Sequence, residues 1–153
     1  MKTPRLDDQL CFALYSASRL IIRTYKPVLM ELGLTYPQYL VMMVLWEWDD
    51  AGANAHSVRE LGDKLHLDSG TLTPLLKRLA DRELVYRKRS ETDERVVCVG
   101  VSQTGRELAS RAHEVPYSLA CYFQGGDLER LVSMRSNVQR IVERLAEGVP
   151  EGP

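Results

Sequence analysis

The chain has 153 residues, three cysteines, and 20 lysines and arginines against 21 aspartates and glutamates, for a formal net charge of −1. At 44% hydrophobic and 27% charged residues it is neither a disordered tail nor a fibre, and it is long enough to bury a real core. It has no apolar run near the roughly 18 residues of a membrane span, no secretory signal layout and no Cys-x-x-Cys pair, so we expect a cytoplasmic protein with no membrane partner, disulfide scaffold, metal centre or cofactor.

Leu10, Leu14, Ala17, Ile21, Tyr25 and Val28 recur at helical spacing and predict a long first helix over about residues 7–30, ending near Gly33. Thr35-Tyr36-Pro37-Gln38 is a helix start, with Thr35 as N-cap, Pro37 in the first turn and Gln38 completing a capping box; that helix runs to about Trp48. Asp49 to His56 is small and polar and reads as a loop. Ser57-Val58-Arg59-Glu60 is a second capping box opening a short helix to about Leu65. Asp68 caps a further helix over about 69–81, in which Leu72, Leu75, Leu76 and Leu79 keep the apolar period although Pro74 should bend or strain it. Residues 84–89 and 96–101 are rich in β-branched residues around the polar turn at 90–94, which predicts a hairpin. Two helices close the chain, at about 103–122 with a bend at Pro116, and at about 127–146 after Gly125-Gly126.

Helix, tight turn, helix and two-stranded hairpin form a winged helix-turn-helix, here about residues 57–101. The fold class is therefore mostly α with a small β-hairpin wing. In such a module the second helix enters the major groove and the hairpin follows the backbone. Ser69, Gly70, Thr71 and Thr73 would allow close approach to base edges and phosphates, and Lys77 and Arg78 suit phosphate. Residues 77–89 hold six basic side chains against two acidic ones, whereas 1–58 and 96–153 are each slightly acidic. The near-neutral total thus hides a local basic footprint. Arg95 suits the minor groove, with Asp93 bracing its guanidinium. An isolated charge run of this kind is more often a solvated strand edge. Helices at about 6–48 and 103–147 exceed what a small winged module needs for its own core, so we expect a dimer presenting two recognition helices to a pseudo-palindromic site.

Taken together, these residues resemble the MarR family of regulators, whose wing carries an Asp-x-Arg signature, here Asp93-Glu94-Arg95. Within it the chain is similar to the organic hydroperoxide resistance (OhrR) type. The matching stretches are residues 10–16 (LCFALYS), 25–27 (YKP), 34–40 (LTYPQYL), 45–47 (LWE), 67–79 (LDSGTLTPLLKRL) and 87–90 (RKRS). The resemblance covers about residues 6–105 and weakens in the last helices. The loop from Asp50 to His56 is longer than the family's by several residues, which predicts a surface bulge. The resemblance implies a DNA-binding repressor that senses organic hydroperoxides through Cys11, with Tyr25 and Tyr36 of the partner subunit against the thiol. It also implies, in some members, a resolving cysteine near the C-terminal helices, a role for which Cys121 is placed.

Elementary chemistry fits this reading of Cys11. Only a thiolate attacks peroxide oxygen usefully, and free N–H groups at a helix start and tyrosine hydroxyls favour the anion. Phe12, Tyr15 and Tyr39 would form an apolar bed for a lipid-like hydroperoxide. Without the resemblance, Cys11 reads as a small buried hydrophobe, and the tyrosines as core or interface filler. Cys98, in the second wing strand, reads as structural. The competing functions are a MarR-type sensor of a non-oxidising ligand, a one-cysteine sensor, a thiol peroxidase and a dimeric scaffold without DNA. His56, His66 and His113 lack metal-ligand spacing.

Overall fold

The structure is a computed structural model that describes residues 3–53, 55–90, 92–115 and 128–148. Cys121, Pro116, Gly125-Gly126 and the far end of the predicted 103–122 helix lie outside these residues. The chain divides into two compact units, one ending at Leu119 and the other running from Ala120.

In the first unit, a 3-10 turn at Leu6–Asp8 precedes α1 (Leu10–Glu31). The predicted start at residue 7 is therefore early by about one turn: Gln9 is extended and separates the two elements. α2 (Tyr36–Asp50) starts where its capping box predicts, with Thr35 N donating to Gln38 Oε1 at 2.9 Å. The second box is equally literal. Ser57 N donates to Glu60 Oε2 at 2.7 Å and Glu60 N to Ser57 Oγ at 3.1 Å, opening α3 (Val58–Leu65). The Ser57 hydroxyl, which donates to Glu60 Oε2 at 2.7 Å, and then the Ser57 N–H hold the Glu60 carboxyl below its ordinary range. Asp68 Oδ1 accepts from Thr71 N at 2.9 Å and starts α4 (Ser69–Asp81); a cap of this kind contributes about 1 kcal/mol.

α4 carries Pro74 in its interior. The lost bond is to the carbonyl of Gly70, and both residues are exposed, so water can satisfy that oxygen. α5 (Gln103–Ala112) ends well before the predicted position.

The sheet has one strand more than expected. β2 (Val85–Arg89) and β3 (Val97–Val101) form the hairpin, and β1 (His56–Ser57), read from sequence as the end of a loop, pairs antiparallel with the other edge of β3. The loop before β1 is closed by its own contacts. Ala53 N donates to the Trp48 carbonyl at 2.9 Å, and the His56 ring stacks on Trp48 at 3.9 Å.

The core draws on α1 to α5 and on β3: Leu29, Val41, Met42, Leu45, Leu61, Leu72, Leu76, Leu79, Val99 and Leu108 are all buried. Each such side chain contributes about 1.5–3 kcal/mol of transfer free energy. α5 is tied to α2 by two contacts. Trp46 Nε1 donates to the Gly105 carbonyl at 2.9 Å, and Arg106 forms a two-point ion pair with Asp49, both contacts 2.7 Å. That pair holds the Asp49 carboxyl below its ordinary range.

The second unit contributes α6 (Leu128–Ala146), which exposes Val132, Met134, Val142 and Leu145. α1 likewise exposes Leu10, Leu20, Ile22 and Met30.

Candidate DNA-reading surface and sensor residues

α4 divides cleanly into two faces. Leu72, Leu76 and Leu79 are buried, while Ser69, Gly70, Thr71, Thr73, Lys77 and Arg78 are all exposed. Period 3.6 produces this split, because the residues anchoring the helix leave the polar positions facing outward. Two hydroxyls already donate within the helix, Thr71 Oγ1 to Asp68 Oδ2 at 2.9 Å and Thr73 Oγ1 to the Ser69 carbonyl at 2.7 Å. Both oxygens keep acceptor capacity toward an incoming ligand.

The wing tip is self-supporting. Ser90 N donates to the Val96 carbonyl at 2.8 Å and Arg89 Nη1 to the Glu94 carbonyl at 2.8 Å. Asp93 Oδ1 accepts from Arg95 N at 3.0 Å and from Arg95 Nε at 3.4 Å. The Arg95 side chain is nonetheless 93% exposed, so a braced guanidinium projects from the wing. Between wing and α4 lies a cleft of about 580 Å³ whose lining includes Arg59, Arg87 and Arg95. Not every cation of the 77–89 run faces a ligand. Arg82 lies along the surface of the chain itself, on the carbonyls of Leu32 and Gly33.

Cys11 is the second residue of α1 and is exposed in the single chain, outside its hydrophobic core. Tyr25 and Tyr36 pack on each other, with ring centroids 5.1 Å apart, and Tyr25 also meets Tyr39 at 6.1 Å. Tyr39 is a core residue at 3% exposure, so it backs the pair instead of lining an apolar bed. Tyr15 is 56% exposed, and its hydroxyl accepts from Arg19 Nη1 at 2.8 Å. Within one chain the thiol does not meet the tyrosine pair. Tyr25 lies 14 residues further along α1, about 21 Å at the helical rise of 1.5 Å per residue. A cleft of about 730 Å³ opens beside Tyr36; Leu20, Ile22, Leu29, Met30 and Leu34 form its apolar wall, and Arg19, Arg23 and Lys26 its cationic rim. Cys98 is half-buried in β3, in register with Ser57 and Lys88.

Burial pushes the Tyr25, Tyr36 and Tyr39 hydroxyls upward in pKa, Tyr39 to about 12, and the neighbouring phenols raise Tyr25 and Tyr39 further. All three therefore stay protonated, as hydrogen-bond donors, throughout the neutral range. The Tyr39 contribution to stability is fully present below pH 10.0 and is lost as pH rises through about 12. An alkaline titration followed by tyrosinate absorbance is expected to show late ionisation of these tyrosines, coinciding with loss of helical signal. Ionisation of all seven tyrosines at the free-phenol pKa, with the fold intact, would contradict that.

The SarA/Rot family of transcriptional regulators matches residues 23–112. An organic hydroperoxide resistance transcriptional regulator of Bacillus subtilis is 43% identical over 131 residues, covering 84% of this chain and 86% of that protein. The chain belongs to the MarR/OhrR family of transcriptional regulators. The regulator SarZ of Staphylococcus epidermidis is 40% identical over 114 residues, 74% of each chain. Among solved structures, reduced AbfR bound to DNA superposes with a TM-score of 0.76 at 32% identity, covering 92% of this chain and 94% of that one. AbfR, a Staphylococcus epidermidis protein, is also known in a disulfide-formed state, with a TM-score of 0.60 at 30% identity over 90% and 93% of the two chains. This OhrR-type chain is thus a DNA-binding regulator rather than an enzyme, and its winged helix fold is the family's. Sequence reasoning missed Arg82 and the role of Tyr39 as a backing ring; neither has a local signature.

Proposed function

We propose that the protein is a redox-sensing repressor acting as a homodimer, which releases a pseudo-palindromic operator when an organic hydroperoxide oxidises Cys11. The observation that carries this reading is an exposed cysteine in the first turn of α1, in a chain 43% identical to an organic hydroperoxide resistance regulator. Residues 57–101 form the reading module, and helices within 6–48 and 103–147 form the dimerisation region. As the family resemblance implies, Tyr25 and Tyr36 serve the thiol of the partner subunit; their distance from their own Cys11 is consistent with that. The exposed apolar residues of α1 and α6 support such an association.

In the chemical step the Cys11 thiolate attacks the terminal peroxide oxygen. The O–O bond breaks, sulfur is oxidised to the sulfenic acid, and the alkoxide leaves as the alcohol after taking up a proton. Protonated Tyr25 and Tyr36 donate to the thiolate before the step. The sulfenic acid then condenses with Cys121 of the partner subunit, forming an S–S bond and releasing water. The disulfide-formed state of AbfR supports this second step, and its overoxidised form, known bound to DNA, supports a disulfide as the releasing event. Cys98 takes no part.

A gel shift on a palindromic promoter fragment, with and without cumene hydroperoxide, tests the reading. Loss of the complex on oxidation and its return with dithiothreitol are expected; a complex that persists while Cys11 is fully oxidised sinks it. On the DNA side, Arg95→Ala is expected to lower affinity about tenfold at low salt, with the difference shrinking as salt rises. Unchanged low-salt affinity would remove Arg95 from the interface.

A second reading has one observation in its favour. The apolar cleft rimmed by Arg19, Arg23 and Lys26 suits a small organic anion. A non-oxidising effector acting there would release DNA from Cys11→Ser protein as well as from wild type.

A further inference from the structure

The C-terminal end of α1 is held by side chains far away in sequence. Its chain reversal is a double hydrogen-bonded closure: Leu34 N donates to the Leu29 carbonyl at 2.9 Å and Gly33 N to the Met30 carbonyl at 3.0 Å. That leaves the carbonyls of Glu31, Leu32 and Gly33 for other donors. Arg82 supplies two of them, Nη1 to Gly33 and Nη2 to Leu32 at 3.2 Å, and Arg111 Nη2 reaches Glu31 at 3.0 Å. Two cations thus meet the negative end of the helix dipole.

Gly33 is shaped for this contact. Its φ is +66°, and a Cβ there would lie 2.8 Å from Arg82 Nη2. The guanidinium plane occupies the space a side chain would take.

The two ends of this clamp lie in functionally different places. Arg82 directly follows α4, whose exposed face carries Lys77 and Arg78, and it precedes the first wing strand by three residues. It sits in a closure of its own, with Leu84 N donating to the Leu79 carbonyl at 3.0 Å and Glu83 N to the Ala80 carbonyl at 2.8 Å. Gly33 lies three residues before Tyr36, which packs on Tyr25. One planar fork therefore pins the junction of α4 and wing to the turn that carries the tyrosine pair.

We propose that Arg82 is a positioning residue that transmits the state of the Tyr25–Tyr36 pair to α4 and the wing. The inference rests on the redox reading above for its trigger, but not for its coupling. Coupling is reciprocal: if a change at the tyrosines lowers affinity for DNA, then DNA must change the surroundings of the tyrosines. Displacing the partner's thiol from the pair moves the 33–36 turn, and the rigid guanidinium moves the end of α4 with it.

The test uses full-length wild type, Arg82→Met, which keeps the stem and removes the donors, and Arg82→Lys, which restores a single cationic donor. Fluorotyrosine is incorporated, and Tyr36 is assigned by its Phe variant. On adding operator DNA, the Tyr36 resonance is expected to shift in wild type, to stay in place in Arg82→Met, and to shift partly in Arg82→Lys. The fold-change in DNA affinity on cumene hydroperoxide treatment is expected to fall at least threefold in Arg82→Met. The rate of sulfenic acid formation at Cys11, read by dimedone labelling, is expected to stay at the wild-type value. An Arg82→Met protein with a wild-type resonance shift and a wild-type fold-change overturns the inference, as does one whose only defect is global unfolding. Failure of the redox reading shows separately, as wild-type protein that keeps its DNA after oxidation; the resonance shift still decides the role of Arg82.

Discussion

Cys11→Ser protein is expected to bind operator DNA as tightly as wild type and to lose its response to organic hydroperoxide entirely. A serine hydroxyl does not ionise near neutral pH and cannot be oxidised by a peroxide, so the first step of the cycle is removed while the volume at the helix start barely changes. Cys11 lies in the first turn of α1, far in sequence from the exposed face of α4, which is why reduced-state affinity should hold. The size of the effect is set by the coupling. If oxidation weakens DNA binding a hundredfold, the two sites share about 2.7 kcal/mol, within the usual range for allosteric coupling. In the serine variant that ratio falls to one. Fluorescence anisotropy on a labelled promoter fragment, titrated before and after cumene hydroperoxide, measures both quantities. A variant that still releases DNA on oxidation would place the sensor elsewhere and favour the cleft beside Tyr36. Cys121→Ser separates the second step: it should lose the hydroperoxide-induced crosslinked dimer on a non-reducing gel. Persistence of the same crosslink would leave the one-cysteine mechanism.

What could be read from sequence was local. The starts of α2, α3 and α4 follow from Thr35-Gln38, Ser57-Glu60 and Asp68, because a cap is a contact between residues three apart and its chemistry is written in the pair. The face of α4 follows from its leucine period. By contrast, β1 is two residues long, too short to show alternation, and its pairing partner Val99 is 43 positions away from His56. Arg82 sits inside a basic run, and nothing in that run marks it as the cation that lies on the end of α1; only the carbonyls of Leu32 and Gly33, about 50 residues earlier, do so. The exposure of Cys11 had no residue pattern to announce it, since cysteine's usual burial favours a core position and only the family resemblance singled the residue out. The Tyr25–Tyr36 contact joins two helices across a turn and was visible only through the family resemblance. Sequence thus specified the elements and one binding face, whereas the links between faces depend on long-range geometry.

Gly105→Ala is expected to destabilise the protein by about 4 kcal/mol, although helix propensity alone predicts a gain of at most about 1 kcal/mol in the first turn of α5. The sign is decided by what a methyl group would meet. A Cβ on Gly105 would lie 2.2 Å from the Leu84 carbonyl oxygen and 2.6 Å from Val101 Cγ2. The first of these is backbone and cannot rotate away. That oxygen already accepts from Ser102 N at 3.1 Å, Ser102 Oγ accepts from Gly105 N at 3.0 Å, and the Gly105 carbonyl accepts from Trp46 Nε1 at 2.9 Å. Lifting α5 by the ångström or so needed to clear the clash strains the Ser102 contact to Leu84 and the Trp46 contact to Gly105, and opens a gap over Leu84 and Val101, both buried. Each buried polar group left unpaired costs about 1–3 kcal/mol, which together with overpacking outweighs the propensity gain. A chain of this size loses about 2–4 °C of Tm per kcal/mol, so a fall of roughly 10 °C is expected in a thermal melt. The same displacement would pull on Trp46 and, through its edge contact with Tyr39 at 6.4 Å, on the ring that backs the tyrosine pair. Partial release of DNA from the reduced variant at temperatures below its melt should therefore accompany the loss of stability. A variant with wild-type Tm would show that α5 does not approach Leu84 so closely.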